Sequence, residues 1–382
     1  MLAAVPAYKT SSLKDFSDAP PGHRFSLYYA GWNEDWSKPK SGVVPMLDAL
    51  KKLPEHSVKL LAAFCSRQNT AAAMLGGQVL ALPCISTAPF ATGLGNEHPL
   101  ENGFAFLTPY GLPYLAGSGI KGVIRTAAEE SASGEWGETK GWNEEAIRTL
   151  FGPGEEDHTR DTHPQQGALR FWDLLPILHK NEMSVEIMTP HHGEYYQGKH
   201  SPHNSESPNP ISFLAVPAKS KFTFFVECNA ALLRDDTLRQ TWRNLLETAF
   251  DHAGKWLGFG AKTAVGYGRM RLDEKAIEEA REREIEQAYA VERAALSPNL
   301  RRIEEFKEAF DERAKQLRGG KDNPNTKYHD MARALAREAA GWGKEERLAA
   351  VDAIEEWLPR VVKIDMKDAH KKLQLSALRS LA

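Results

Sequence analysis

Gly258-Phe259-Gly260-Ala261-Lys262-Thr263-Ala264-Val265-Gly266-Tyr267-Gly268-Arg269 sets four glycines into one short stretch, behind a helix-like segment and ahead of a strand. Glycine clusters where the backbone must take positive φ angles, or where something packs directly on its N–H groups. Lys262 and Arg269 add fixed positive charge to the same stretch. It therefore reads either as a tight turn or as a loop that receives an anion, phosphate being the commonest visitor. Nucleotide-binding patterns do not fit it. The third glycine of the dinucleotide fingerprint is missing and the loop follows a helix instead of opening one, while the Gly-Lys-Ser/Thr of a P-loop occurs nowhere in the chain.

Residues 236–255 predict an amphipathic helix, with Leu238, Trp242, Leu245, Leu246 and Phe250 at helical spacing. Residues 266–272 predict the strand after the glycine loop, and 210–216 and 222–228 the strands before that helix. Upstream, 44–75 reads as helical with a break near Pro54, and 79–87 as a strand. A glycine-rich turn then leads through Gly117-Ser118-Gly119-Ile120-Lys121 into a helix that Ser118 can cap. Lys121 and Arg125 lie four apart and so share a face near an anion-friendly helix N-terminus. The segment 131–166 is a polar insertion with one short helix, 144–151, and further strands are expected at 168–175 and 184–188. Strand, helix, strand, strand, helix, strand is the ferredoxin-like order that RNA-recognition modules also use, which makes the fold class α+β. The aromatic signature of the standard RNA-recognition module is missing, so the fold alone does not establish RNA binding.

The chain has 382 residues, 42% hydrophobic and 26% charged, which suits a folded protein of two or more units. The expected division is an N-terminal mixed and helical segment at 1–78, a ferredoxin-like core at 79–272 and an all-helical extension at 273–382. Cys65, Cys84 and Cys228 form no Cys-x-x-Cys pair, which argues against a disulfide scaffold or zinc ribbon and suits a reducing cytoplasm. No stretch reads as a targeting or membrane-spanning segment. A net charge of −3 requires charge segregation if a phosphate backbone is the partner. Much of the acid lies in 129–145, 155–161 and 274–286, which leaves the glycine-rich elements locally basic.

In order along the chain, Gly93-Leu-Gly95-Asn-Glu-His98-Pro99, Tyr110-Gly-Leu-Pro113 through Arg125, Leu150-Phe151-Gly152, Leu169-Arg170-Phe171-Trp172-Asp173 and Met188-Thr-Pro190-His191-His192-Gly-Glu194-Tyr195-Tyr196 resemble one family of CRISPR effector subunits. It is the sixth-subunit family of the type III-B (Cmr) complex, within the RAMP superfamily, whose hallmark is a C-terminal glycine-rich loop. The resemblance spans roughly 80–272 and departs at Ala116 and Gly119, where the family more often shows Pro-Gly-Ser-Ser. It implies a subunit without catalysis or cofactor that cradles guide RNA near its 3′ end and caps a filament. The implied partners are guide and target RNA, the repeated backbone subunit, the small helical subunit and the other capping RAMP subunit. By the same resemblance Gly117, Ser118, Lys121, Arg125, His191, His192, Gly258, Gly260, Lys262, Gly266, Gly268 and Arg269 are the RNA-contacting positions, with no metal site.

His191 and His192, with Glu194 and the later His200 and His203, also allow other readings. Two histidines and a carboxylate can serve as general acid and base in metal-independent cleavage of repeat RNA. Four histidines can hold zinc, although their spacing is irregular. Beyond residue 272 charge is dense and nearly balanced. Breaks at Ser297-Pro298, Gly319-Gly320, Asn323-Pro324-Asn325 and Gly341-Trp342-Gly343 divide this region into about five helices, with Trp342, Leu348, Val351, Ile354 and Trp357 as its apolar residues.

Overall fold

The computed structural model describes residues 16–29, 31–37, 43–100, 102–154, 166–189, 198, 201, 210–324 and 326–380. Its strands are β1 (Val79–Ser86), β2 (Phe106–Leu107), β3 (Leu112–Pro113), β4 (Leu169–Phe171), β5 (Ser184–Met188), β6 (Ile211–Ala215), β7 (Lys221–Cys228) and β8 (Met270–Leu272). In the first part of the chain the helices are α1 (Val43–Leu50), α2 (Glu55–Leu75), α3 (Gly117–Ser133), α4 (Glu144–Phe151) and α5 (Asp236–His252). The chain divides into two compact units, 1–277 and 278–382.

In the first unit four strands form one antiparallel sheet in the order β4-β7-β1-β8. With α3 following β1 and α5 following β7, this is the ferredoxin-like arrangement. Alternation decides which face is wet. Leu80, Leu82 and Cys84 of β1 and Phe222, Phe224, Val226 and Cys228 of β7 point into the core shared with α3 and α5. Burial pushes both thiols up, that of Cys228 to about 11. Asp235 caps α5 by accepting from the N–H groups of Thr237 and Leu238, and Asn143 caps α4 by accepting from Ala146. Two antiparallel hairpins, β2 with β3 and β5 with β6, stand outside the main sheet. The short β2–β3 hairpin has no counterpart in the sequence reading, because a two-residue strand has no period to detect.

The expected strand at 266–272 shortens to β8, since Gly266 and Gly268 stay in the loop with positive φ. The reason lies in Phe259. Its buried ring sits 4.9 Å from the Phe224 ring and 6.2 Å from that of Phe250, centroid to centroid. The loop thus plugs an aromatic ring into the core, worth about 2–3 kcal/mol by burial. The returning chain then runs directly against the plug: Phe259 N–H donates to the carbonyl of Gly268 at 3.0 Å.

The second unit is helical. Its elements are α6 (Glu274–Ala295), which begins just before the division, then α7 (Pro298–Leu317), α8 (Lys327–Ala339), α9 (Lys344–Val361), α10 (Met366–Lys372) and α11 (Leu375–Ser380). Breaks fall at the punctuation read from the sequence, and Ser297 caps α7 with Pro298 as its first residue. The short α10 and α11 subdivide the final segment further than that punctuation foretells. Val351 and Ile354 are fully buried, and Trp342, Leu348 and Trp357 are partly exposed. His329 is 1% exposed, and neither ring nitrogen has a hydrogen-bond partner among the described residues.

The packing of the loop and of His329 can be tested by substitution. A Cβ on Gly268 would lie 1.8 Å from the Phe259 carbonyl oxygen, whereas one on Gly266 meets nothing within 4 Å. Gly268→Ala should therefore cost on the order of 3 kcal/mol or more, and Gly266→Ala only about 1 kcal/mol for its positive φ. Urea unfolding midpoints measure both, and equal shifts would contradict the close approach. For His329, burial first and the Arg333 charge second hold the pKa below the ordinary histidine value. The unfolded chain then binds the extra proton, so the stability of this unit is full above about pH 6.5 and falls as pH drops below it. His329→Leu should flatten that acid dependence and raise stability at pH 7 by about 1 kcal/mol, read as unfolding temperature from pH 5 to 8; an unchanged acid slope would exclude His329 as its source.

Candidate nucleic-acid interface

The helix α3 begins where its backbone runs against β4. A Cβ on Gly117 would sit 2.1 Å from the carbonyl oxygen of Phe171, so only glycine fits. Two residues beyond that carbonyl, Asp173 accepts the Gly117 N–H at 2.8 Å. The cap of this helix is thus Asp173, supplied by a distant segment, and not Ser118, which lies inside the first turn with no side-chain capping bond. Ile120 N–H returns to the Ala116 carbonyl. The N–H groups of Ser118 and Gly119 remain without an intrachain partner among the described residues, and both residues are exposed. They carry the positive end of a seventeen-residue helix.

The glycine-rich loop approaches the same place from the other side. Ala261 N–H donates to the Ala91 carbonyl at 2.7 Å, and Gly268 N–H to the Pro89 carbonyl at 2.8 Å. This seats the loop on the chain that leaves β1. A groove of about 420 Å³ results, lined by Gly93, Leu94, Leu115, Ser118, Gly119, Gly260 and others. Leu94, Leu115 and Val123 give it apolar walls, and the glycines give it exposed backbone. The structure therefore brings Ser118, at the root of α3 beside Gly117, together with Gly260, as one surface built from two remote stretches.

Most of the loop's amides are already used. Gly258, Phe259, Ala261, Val265, Gly266, Tyr267 and Gly268 all donate within the chain. Those of Gly260 and Lys262 have no partner among the described residues. The glycines at 258, 260 and 268 are thus explained first by close packing, and Gly266 shapes an exposed tip beside the exposed Val265.

The cations divide in the same way. Lys121 is half-buried one turn into α3, and burial, then the Arg125 charge, lowers its pKa. An arriving anion would favour the charged form against both. Arg125 is committed elsewhere: it pairs with Glu129 at 2.8 Å and donates to the Pro153 carbonyl at 3.1 Å, tying α3 to the segment after α4. Lys262 holds a left-handed φ of 60° and turns its ammonium to the Met188 thioether and the Phe213 ring, 5.5 Å from the centroid. That contact, with Tyr267 donating to Glu186 at 3.2 Å, fastens the loop to the β5–β6 hairpin. Arg269 donates to the Lys255 carbonyl at 2.9 Å, closing the turn that ends α5. The sequence reading left Arg125 unpaired, although its i,i+4 spacing to Glu129 was there to be seen; the partners of Lys262 and Arg269 carry no such local signal, because each comes from folding.

His191 and His192 lie outside the described residues, as do Glu194, Tyr195, Tyr196, His200 and His203. His98 is structural: its ring stacks on Phe25 at 3.8 Å, Nδ1 accepts from Leu100 N–H and Nε2 donates to the Phe25 carbonyl. Among the described residues no cluster of His, Cys, Asp or Glu could hold a metal ion, and no helix is long and apolar enough to cross a membrane.

Comparison with known proteins bears on the same segment. Residues 85–271 match the model of the RAMP superfamily. Over 224 residues, 47% of the chain, the sequence is 30% identical to the CRISPR system Cmr subunit Cmr6 of Pyrococcus furiosus, and the match spans 63% of that relative's length. Among solved structures, the chain is similar to one in the type III-B Cmr-beta complex bound to cognate target RNA, with 18% identity, coverage of 60% of this chain and 70% of that one, and a TM-score of 0.42. It is also similar to crystalline Cmr6 from Pyrococcus furiosus, with 25% identity, coverage of 51% and 97%, and a TM-score of 0.28. Through the ferredoxin-like unit at 85–271 and its glycine-rich loop, just under half of the chain matches the RAMP superfamily, and within that superfamily its sequence is similar to Cmr6.

Proposed function

We propose that the chain is an RNA-binding subunit of a type III-B CRISPR ribonucleoprotein, holding guide RNA near its 3′ end, closing the backbone filament beside other Cmr subunits and contributing no catalysis. The observation that carries this reading is the groove in which the α3 N-terminus meets the glycine-rich loop. Ser118, Gly119 and Gly260 line it, and their N–H groups have no partner among the described residues, as is true of Lys262 two residues along the loop. Backbone donors and a helix dipole suit phosphate oxygens without reading sequence. The apolar walls suit a ribose or base edge, and the volume falls in the range of ligand-sized clefts, roughly 300–1,000 Å³. Lys121, one turn into α3 and outside the groove's lining, adds positive charge nearby, while Asp173 already offsets part of the helix dipole. Such a site favours a single phosphate at a time, as a strand lying across it would present.

Ser118→Asp separates function from folding. A carboxylate in the first turn favours the helix by about 0.3–1 kcal/mol, so the unfolding temperature should hold or rise. The same carboxylate should repel phosphate and weaken single-strand RNA binding by about tenfold. Fluorescence anisotropy reads the affinity, and undiminished binding would remove the groove from the RNA path. In the same assay Lys121→Ala should weaken binding less and flatten its salt dependence by about 0.7 in log–log slope. The purified chain incubated with repeat RNA in chelator should leave it intact; cleavage there would overturn the non-catalytic assignment.

A further inference from the structure

We infer a second RNA-backbone surface, separate from the groove, on the open face of the main sheet: Lys180, Lys219, Lys221 and Arg271. The inference rests on the reading of the chain as RNA-binding and extends it to residues outside the family motifs. Lys221 pairs with Ile85, and Ile85 pairs with Arg271, so all three side chains leave the sheet on the face opposite the core. Strand spacing sets the two cations about 10 Å apart with Ile85 between them. Beside Lys221, Ile177 is held by two backbone bonds of 2.8 and 2.9 Å and is 46% exposed. The far end of this face is covered, with Ala72 of α2 against Val79 and Phe225.

Two turns bring the other lysines in. Ser86 and Ser220 are buried, and their hydroxyls donate to the Pro217 carbonyl, pinning the turn at 217–220 to the end of β1. Ser220 also accepts the His179 N–H at 3.1 Å, which draws the turn at 179–181 alongside. Lys219 and Lys180 adopt φ of 69° and 56°. Glycine would adopt that conformation more easily, so lysine there stands against local backbone preference. None of the four cations has an ion-pair partner among the described residues. Two carboxylates stand nearby: Glu182 lies opposite Lys52 in an antiparallel bridge, and Asp273, two residues from Arg271 along the same ladder, accepts the Ala276 N–H at the start of α6. A protein partner would be expected to bring aromatic or arginine anchors into a pocket, whereas the apolar side chains directly beside these cations are those of Ile85 and Ile177. Spaced, unpaired cations on a shallow ledge are sufficient for successive phosphates.

The test uses the full chain and a short labelled single-stranded RNA over a salt series. Lys180→Gly with Lys219→Gly removes charge while relieving backbone strain, so its unfolding temperature should hold or rise. Combined with Lys221→Ala and Arg271→Ala, it should weaken binding by about tenfold or more and flatten the log–log salt slope by about 0.7 for each phosphate no longer neutralised. Ser118→Asp runs in parallel. Weakened binding in Ser118→Asp with none in the quadruple variant sinks the sheet surface and leaves the groove standing. The reverse supports the sheet surface and sinks the groove. If a polyglutamate peptide displaces the RNA from the unaltered chain at equal ionic strength and charge, the face is an acidic-protein site and the RNA assignment fails.

Discussion

The backbone of the glycine-rich loop lies directly on the chain leaving β1, joined by the Ala261–Ala91 and Gly268–Pro89 bonds. Everything at the candidate interface depends on that approach. It lets Phe259 plug the core, leaves the amides of Gly260 and Lys262 without intrachain partners among the described residues, and seats Tyr267 against the β5–β6 hairpin. A side chain at Gly268 would collide with the Phe259 carbonyl, and one at Gly260 with that of Ala91. The same residues therefore hold the fold together and leave open the few donors available to a ligand. Because those donors are backbone amides in a packed loop, they cannot swing away as a lysine can, and no reorganisation is needed when an anion arrives.

The architecture was legible because its signals are local. Alternation along β7, the helical spacing in α5 and the Ser297-Pro298 start of α7 each specify an element without distant help. What could not be read depends on contacts across the chain. Ser118 has the right chemistry for a cap and the right place, yet Asp173 takes that role because the end of β4 delivers a carboxylate to Gly117. Residues 266–269 have the punctuation of a strand, yet the Phe259 plug holds them in a turn. Lys180 and Lys219 lie thirty-nine positions apart in the chain and become neighbours only through the Ser220–His179 bond.

Charge illustrates the difference between composition and placement. The chain is net acidic, and several cations that look available in the sequence are engaged inside it: Arg125 with Glu129, Arg170 with Glu227, Arg269 with a helix-ending carbonyl. Such exposed or half-exposed pairs contribute little stability individually, but they take those cations out of play for a polyanion. Electropositive character is left at the helix end, at Lys121 and on the open sheet face, where no carboxylate of the described residues pairs with it.

The bond from Asp173 to Gly117 also has a mechanical side. Asp173 follows β4, the outermost strand on its side of the sheet, and Leu115 is bonded to Leu174 in both directions just beyond. The rim of the sheet and the root of α3 are riveted at three successive points, so they must tilt as one body. A neighbour that gripped this short border strand would transmit its displacement straight to the mouth of the groove, giving the border a means of adjusting the width of the opening without touching any residue that lines it.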